Sequence, residues 1–400
     1  VTTRRRETAV AVVLASGVAA CSVAAPTQPP TELPSLAVSA SIAAPSRTEP
    51  PQPPTDAAGG TLGDLGRLLT IHAVDAVFTS RILEFASTGF SVVASVAERP
   101  GEAAAPDLYV IPPDTGEPRL AWRNPERDHS LVKLAADGDM VAFVDMSIRG
   151  DASWTLRLIP EEGAEPVVLD ELDDDPAVPS LVPSMSVYWP YVAWTAFGTG
   201  PDGPVSRLLW AQAPDWEPTV LAERPAGEAE LWFPALFGAQ LAYTELVYAD
   251  DRQSDERRVW LTELVDPDGP RRLDTSGLAT MPVISQHDIA WKEGVRGFHQ
   301  LNWGSMERFD ARTGGSLPMG DQDDVNYPSA GTRFITWWLA DSTELVVWDG
   351  ALGETRRIVS YDSADHRLLR PHLAGSLIVW LLVDASVDPA ITELRYALVP

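Results

Sequence analysis

The chain has 400 residues, room for one large or two ordinary domains, and 45% of them are hydrophobic, enough to bury a sizeable core. Its 30 basic and 57 acidic residues leave a net charge of −27, which excludes the clustered Lys and Arg surface of a nucleic-acid binder and points to neutral, basic or cationic partners. Lys133 and Lys292 are the only lysines, and a lone cysteine excludes an internal disulfide framework, a CxxC redox pair and a cysteine-rich zinc site.

Residues 1–21 begin with Arg4, Arg5 and Arg6, followed by an uncharged apolar stretch from Ala9 to Ala20 and then Cys21. This is the pattern of a secretory signal peptide, and the apolar run is shorter than the ~20 residues a spanning helix takes. The tetrad Val18-Ala19-Ala20-Cys21 resembles the lipobox of bacterial lipoproteins. That resemblance implies that Cys21 is acylated and holds the exported protein to a cell membrane or outer membrane, on the extracytoplasmic side.

Residues 22–60 turn to Pro, Ala, Ser and Thr, as in PTQPPTELP and PSRTEPPQPPT, with no apolar periodicity. A segment with so little to bury is expected to be a disordered, extended tether.

From residue 61 onward, short apolar runs alternate with Pro, Gly and Asp turns at a fixed period. The strings VAF, VAW, LAY, IAW, ITW and IVW end at Phe143, Trp194, Tyr243, Trp291, Trp337 and Trp380, and a weaker copy ends at Ala94. Proline stands nine residues before the last four, at Pro234, Pro282, Pro328 and Pro371. Each unit continues with a second run carrying an aromatic: Tyr109, Trp154, Trp210, Trp260, Trp303, Trp348 and Tyr396. Then follow tight turns such as PPDTGEP, PEEGAEP and VDPDGP, which are hairpin signals, and a third run. Counting the run entered at the proline, a unit has four short strands, the make-up of one propeller blade.

The sequence therefore predicts an all-β fold, a seven-bladed β-propeller over residues 61–400, with six blades as the alternative count. The last unit stops one strand short at ELRYALVP, while the apolar run Leu68–Val74 precedes the first unit without a partner. A strand within about 66–75 is expected to complete the last blade, because closing the ring removes the open ends of a repeat array.

Three units, MPVISQHDIAW, YPSAGTRFITW and RPHLAGSLIVW, resemble the TolB-like or WD40-like repeats of secreted bacterial propellers. The resemblance implies the architecture and says little about activity, because propellers host many unrelated functions. It departs from TolB itself, which is similar to a six-bladed ring with a separate N-terminal domain.

Strand order alternates loop sides, so the loops between blades share a face with those between second and third strands. The candidate binding residues lie there: Asp170, Glu171, Asp173, Asp174 and Asp175; Asp250, Asp251, Asp255 and Arg257; Asp321, Asp323 and Asp324; Asp362, Asp365 and His366. Oxygen-rich loops suit hard cations, so Ca²⁺ is the one ion they could hold; otherwise no cofactor is called for, and a solvated acidic face is the plain alternative. Length varies most between the second and third strands, which singles out Asp250–Arg258 with Trp154 and Tyr248 as neighbours. Fourteen tryptophans suggest sugar stacking, but most recur in register and are expected to pack between blades, with Trp216 and Trp338 the exceptions. No GxSxG, Walker or GxGxxG motif is present, and the histidines lack paired metal spacing.

The expected function is a non-catalytic binding or scaffolding module at the cell envelope. It would be monomeric, held to the lipid bilayer through Cys21, and would engage an envelope protein or glycan. The alternative is a propeller-type hydrolase or lyase acting on extracellular or envelope glycans, which would show two carboxylates converging at the channel mouth.

Overall fold

In the computed structural model every anchor triplet becomes the second strand of an antiparallel sheet of four strands, or five in the sheet of Trp337, with Phe143, Trp194, Tyr243, Trp291, Trp337 and Trp380 all buried. The structure describes residues 55–400 other than 57–59, 100–105, 149–152, 173–178, 180, 249–254, 266–268, 275, 295–303, 321–324, 340–342, 362–365 and 386–390. The leader, Cys21 and most of the tether lie outside the described residues. Seven sheets form, one per repeat, so the protein is a seven-bladed β-propeller. Blades 1 to 7 begin with the strands Ile82–Ser87, His129–Asp137, Met185–Tyr188, Ala229–Phe237, Thr280–Ile284, Val325–Ala330 and His366–Ala374.

Burial explains why the period is read so clearly. Seven hydrophobic clusters occupy the seven junctions between neighbouring blades; Trp194 of blade 3 packs with Val144 and Leu156 of blade 2, and Trp380 of blade 7 with Phe334 and Leu345 of blade 6. One cluster joins the two ends of the array, with Leu377, Val379 and Leu394 of blade 7 against Phe85, Val92 and Ile111 of blade 1. Each sheet thus buries both faces, and the ring has no open end.

The segment ahead of blade 1 straps the outside of the last two blades. Thr61–Leu62 pairs with Ser360 and Val359 as a fifth strand on blade 6. His72–Ala73 then pairs with Tyr396 and Arg395 and supplies the outermost strand of blade 7. Leu65 is buried in the junction of blades 6 and 7, and a Cβ on Gly66 would lie 2.0 Å from the Ile358 carbonyl oxygen, so only glycine lets the strap lie this close. The contact begins earlier than the apolar run does: Asp56, in the stretch expected to be tether, is almost fully buried and accepts hydrogen bonds from Tyr361 (2.6 Å) and Arg395 (2.7 Å).

The recurrent prolines stand in the first strands, the innermost ones. At Trp232/Ala235, Thr280/Val283, Asn326/Ser329 and Leu369/His372 the register slips, and the two residues skipped are an aromatic, Met or Arg followed by proline. The residue before each proline takes a left-handed backbone: Phe233 (φ 50°), Met281 (51°), Tyr327 (39°) and Arg370 (50°). A proline fits because the inner strand is an edge strand, hydrogen-bonded to a neighbour on one side only.

Candidate functional site

The seven first strands enclose a channel of about 550 Å³, within the range of small-ligand sites. Its wall is built from one short segment per blade that ends at the turn leading into the second strand; on blades 4, 5 and 6 it starts at the bulge, and on blades 1, 2 and 7 just beyond it. The lining is largely apolar, with Leu134, Val187, Phe233, Leu236, Met281 and Tyr327 among its side chains.

The bulge level divides the ring in two. On blades 4, 5 and 6 it carries Phe233, Met281 and Tyr327. On blade 7 it carries Arg370, whose Nη1 donates to Glu84 Oε1 of blade 1 at 2.8 Å. Lys133 of blade 2 follows the skipped residue of its own strand, and its charge acts on both Glu84 and His372. These three charged residues stand just outside the channel lining, on strands where Ala86, Leu134 and His372, one or two positions further along, line it. Burial pushes the Glu84 carboxyl above its usual range although Arg370 and Lys133 pull it down. Burial, reinforced by the same two cations, lowers the His372 imidazole to about 4, so it is neutral at pH 7.

At the opposite end of the channel the turns between first and second strands bond to one another around the ring. Gly138 N donates to Thr88 O at 2.8 Å, Trp189 N to Asp137 Oδ2 at 2.9 Å, Gln286 N to Thr332 O at 2.9 Å and Thr332 N to Gly375 O at 3.1 Å. Gly331, Gly375 and Gly89 let three of these turns touch; a Cβ on Gly331 would lie 2.4 Å from the Gly375 carbonyl oxygen. On this rigid rim Phe90 and Trp189 are 75% and 56% exposed, unusual for large apolar side chains.

Most candidate residues read from sequence lie outside the described residues: Asp173, Asp174, Asp175, Asp250, Asp251, Asp321, Asp323, Asp324, Asp362 and Asp365. Those described are dispersed over several blades. Asp170 accepts the Trp194 indole N–H at 2.8 Å and so ties blade 2 to blade 3, with burial raising its carboxyl. Glu171 is exposed beside it, Arg257 is buried in blade 4, and Asp255 begins the third strand of that blade. His366 stacks on Tyr361 at 5.4 Å and stands 3.8 Å from Asp384. Trp154, Trp216 and Trp338 are all buried and offer no open face to a sugar.

Sequence reasoning passed over Glu84, Lys133, Arg370, Phe90 and Trp189. Single charges and rings contributed by different blades share no motif; the only signal was that Arg370 precedes one of the recurrent prolines. It also passed over Glu126, Asp128 and His129, which lie close enough to share an ion, although His129 already faces Asp145 at 3.2 Å.

No protein-family model matches the sequence, and no curated protein matches it. Among solved structures the protein is similar to the β-propeller domain of the trilobed protease of Pyrococcus furiosus, at 12% identity and a TM-score of 0.56, over 79% of this chain and 92% of that one. It is similar to an oligogalacturonate lyase solved in complex with manganese, at 13% identity and a TM-score of 0.51, over 87% of this chain and 96% of that one. It is also similar to the acylaminoacyl peptidase of Pyrococcus horikoshii, at 12% identity and a TM-score of 0.51, over 82% of this chain but only 54% of that one. At these identities the likeness shows the β-propeller fold and nothing finer.

Proposed function

We propose that the protein is an exported envelope propeller, lipid-anchored through Cys21, that acts as a non-catalytic binding or scaffolding module and engages its ligand at the central channel. The observation that carries the binding reading is the channel itself: about 550 Å³ of space rimmed by Phe90 and Trp189 on turns that are bonded to one another. Exposed aromatics on rigid turns are the kind of surface from which binding energy comes, because little conformational entropy is lost on contact. The anchor rests on the Arg-rich leader and the Val-Ala-Ala-Cys tetrad.

A photo-crosslinking amino acid at Phe90 or Trp189, activated in cells, is expected to capture one dominant partner that the same probe at Val168 or Val220, exposed on outer strands, does not. Equal capture from both places would contradict a channel-face ligand. Cys21→Ala is expected to release the protein from membranes, and continued attachment would contradict the anchor.

A second reading, a glycan hydrolase or lyase, is favoured by the raised Glu84 carboxyl beside the channel. Its immediate neighbours are the cations Arg370 and Lys133, not the second carboxylate that hydrolysis of the two-carboxylate kind needs. Loss of any glycan-cleaving activity in Glu84→Gln, with the fold intact, would establish that reading in place of the first.

A further inference from the structure

Three observations meet at the bulge level of the channel. Four large side chains are held there in left-handed backbone, at Phe233, Met281, Tyr327 and Arg370, a conformation that costs roughly 1–2 kcal/mol for each L-residue. All four stand at one level of the ring, the level at which their strands bulge. The level is also two-sided, with Phe233, Met281 and Tyr327 on blades 4 to 6 and Arg370, Glu84 and Lys133 on blades 7, 1 and 2. Finally, the charged side carries positive charge in excess: Arg370 gives one nitrogen to Glu84 and its side chain stays 50% exposed, and the exposed Lys133 acts on the same carboxylate, so two cations stand against one anion. In a protein of net charge −27 with two lysines, this excess of positive charge beside the channel is a marked local exception.

We propose that the channel binds an amphipathic organic anion, with its single carboxylate between Lys133 and Arg370 and its apolar or aromatic body against Phe233, Met281 and Tyr327. The acidic exterior repels anions in general, so the selectivity is for a ligand small enough to enter, and Glu84, hydrogen-bonded through one oxygen to Arg370, offsets one of the two positive charges and leaves the other uncompensated. His372, neutral and in edge contact with Phe85 at 5.2 Å, extends the apolar wall below the charges. The body has room for roughly the volume of an aromatic acid or of the last two or three residues of a peptide. This inference rests on the binding reading and names its ligand class.

The test uses two matched pairs of probes with the full-length protein: indole-3-propionate against indole-3-propionamide, and Ala-Ala-Trp with a free against an amidated C-terminus. Titration calorimetry is expected to show each carboxylate binding at least tenfold more tightly than its amide. Lys133→Gln should weaken the carboxylates five- to tenfold and leave the amides unchanged, and raising salt should have the same sense. Lys133 is exposed, so its replacement leaves the fold intact; Arg370→Met, which keeps an unbranched side chain at the bulge, is the second variant and should give a larger loss. A tighter peptide would identify the carboxyl end of a polypeptide as the source, and a tighter free acid a small metabolite. Equal binding of acid and amide, binding unaffected by both variants, or no binding of any probe at millimolar concentration would overturn the proposal. Those outcomes leave the channel-face reading standing if Phe90 and Trp189 still crosslink to a partner in cells.

Discussion

Blades 4, 5 and 6 and blades 7, 1 and 2 face each other across one channel and meet the same geometric demand with different residues. On the first side each inner strand is bulged at a residue-proline pair, with Phe233, Met281 or Tyr327 ahead of the proline. On the second side Glu84 and Lys133 sit at bulges without proline, and blade 7 combines the proline with a charge at Arg370. The bulge belongs to the backbone, because an edge strand lining a ring must twist away from its neighbours. The side chain it presents is free to vary, and the two sides have diverged into an apolar and a charged half.

The largest test removes what holds the charged half together. Deleting residues 60–75 strips the outer strand from blade 7 and takes Leu65 and Val74 out of two junctions. Losing such side chains costs about 2–5 kcal/mol each. Thermal unfolding should fall by more than 10 °C or lose cooperativity, whereas deleting 25–50 should leave it unchanged. Equal unfolding of the two deletions would mean that the strap does not close the ring.

Next comes the clamp at the start of the strap. Asp56→Ala leaves the buried Arg395 with Glu393 at 2.8 Å and the Tyr361 hydroxyl at 3.4 Å as its partners. The expected loss is about 2–3 kcal/mol, below the range for a fully orphaned buried charge. Denaturant unfolding measures it, and a loss under about 0.5 kcal/mol would place the working contacts of the strap further along the sequence.

A comparable effect depends on pH. His372 is held near 4 in the fold and returns to its ordinary value when unfolded, so the unfolded state binds the extra proton between those values. Its contribution is complete above about pH 6.5 and is lost as pH falls toward 4, by roughly 2–3 kcal/mol. The raised carboxyls Glu84, Asp137, Asp145, Asp170 and Glu307 act in the opposite sense, since they take up protons more readily folded than unfolded. The difference between wild type and His372→Gln isolates the histidine: the gap in stability between them should narrow as pH drops from 7 to 4.5, and a constant gap would contradict the burial of a neutral imidazole.

The smallest effect is expected at the bulge itself. Tyr327→Gly relieves about 1 kcal/mol of left-handed strain and gives up the ring contact with Trp338 at 5.4 Å, so the two should cancel to within about 1 kcal/mol. A much larger destabilisation would show that Tyr327 belongs to the packed core and not to the channel surface.

The architecture was legible because the residues that define it are buried and recur: seven second strands each put one apolar triplet at a junction, and only a few side chains fit there. The third-to-fourth-strand turns were legible for a related reason. Gly116, Gly163, Gly269, Gly314 and Gly353 all supply the left-handed residue those turns need, and where Trp216 replaces glycine in blade 3 its ring is buried against blade 2. The channel was not legible. Its residues come one or two from each blade, and they are united only by the height at which a bulge falls, which depends on register. Acidic loops drew attention because charge runs are visible in a sequence, whereas Lys133 and Arg370 are single residues whose meaning comes from what stands across the channel.

The central claim is that the channel face is where this protein meets its ligand. Hydroxyl-radical footprinting of the full-length protein, in intact cells and after purification, reads it directly at the exposed rings. The account predicts that Phe90, Trp189 and Tyr327 are protected in cells and oxidised in the purified protein. Protection confined to the outer-strand residues Val168, Val220 and Leu317, with the three rings oxidised alike in both, would contradict it.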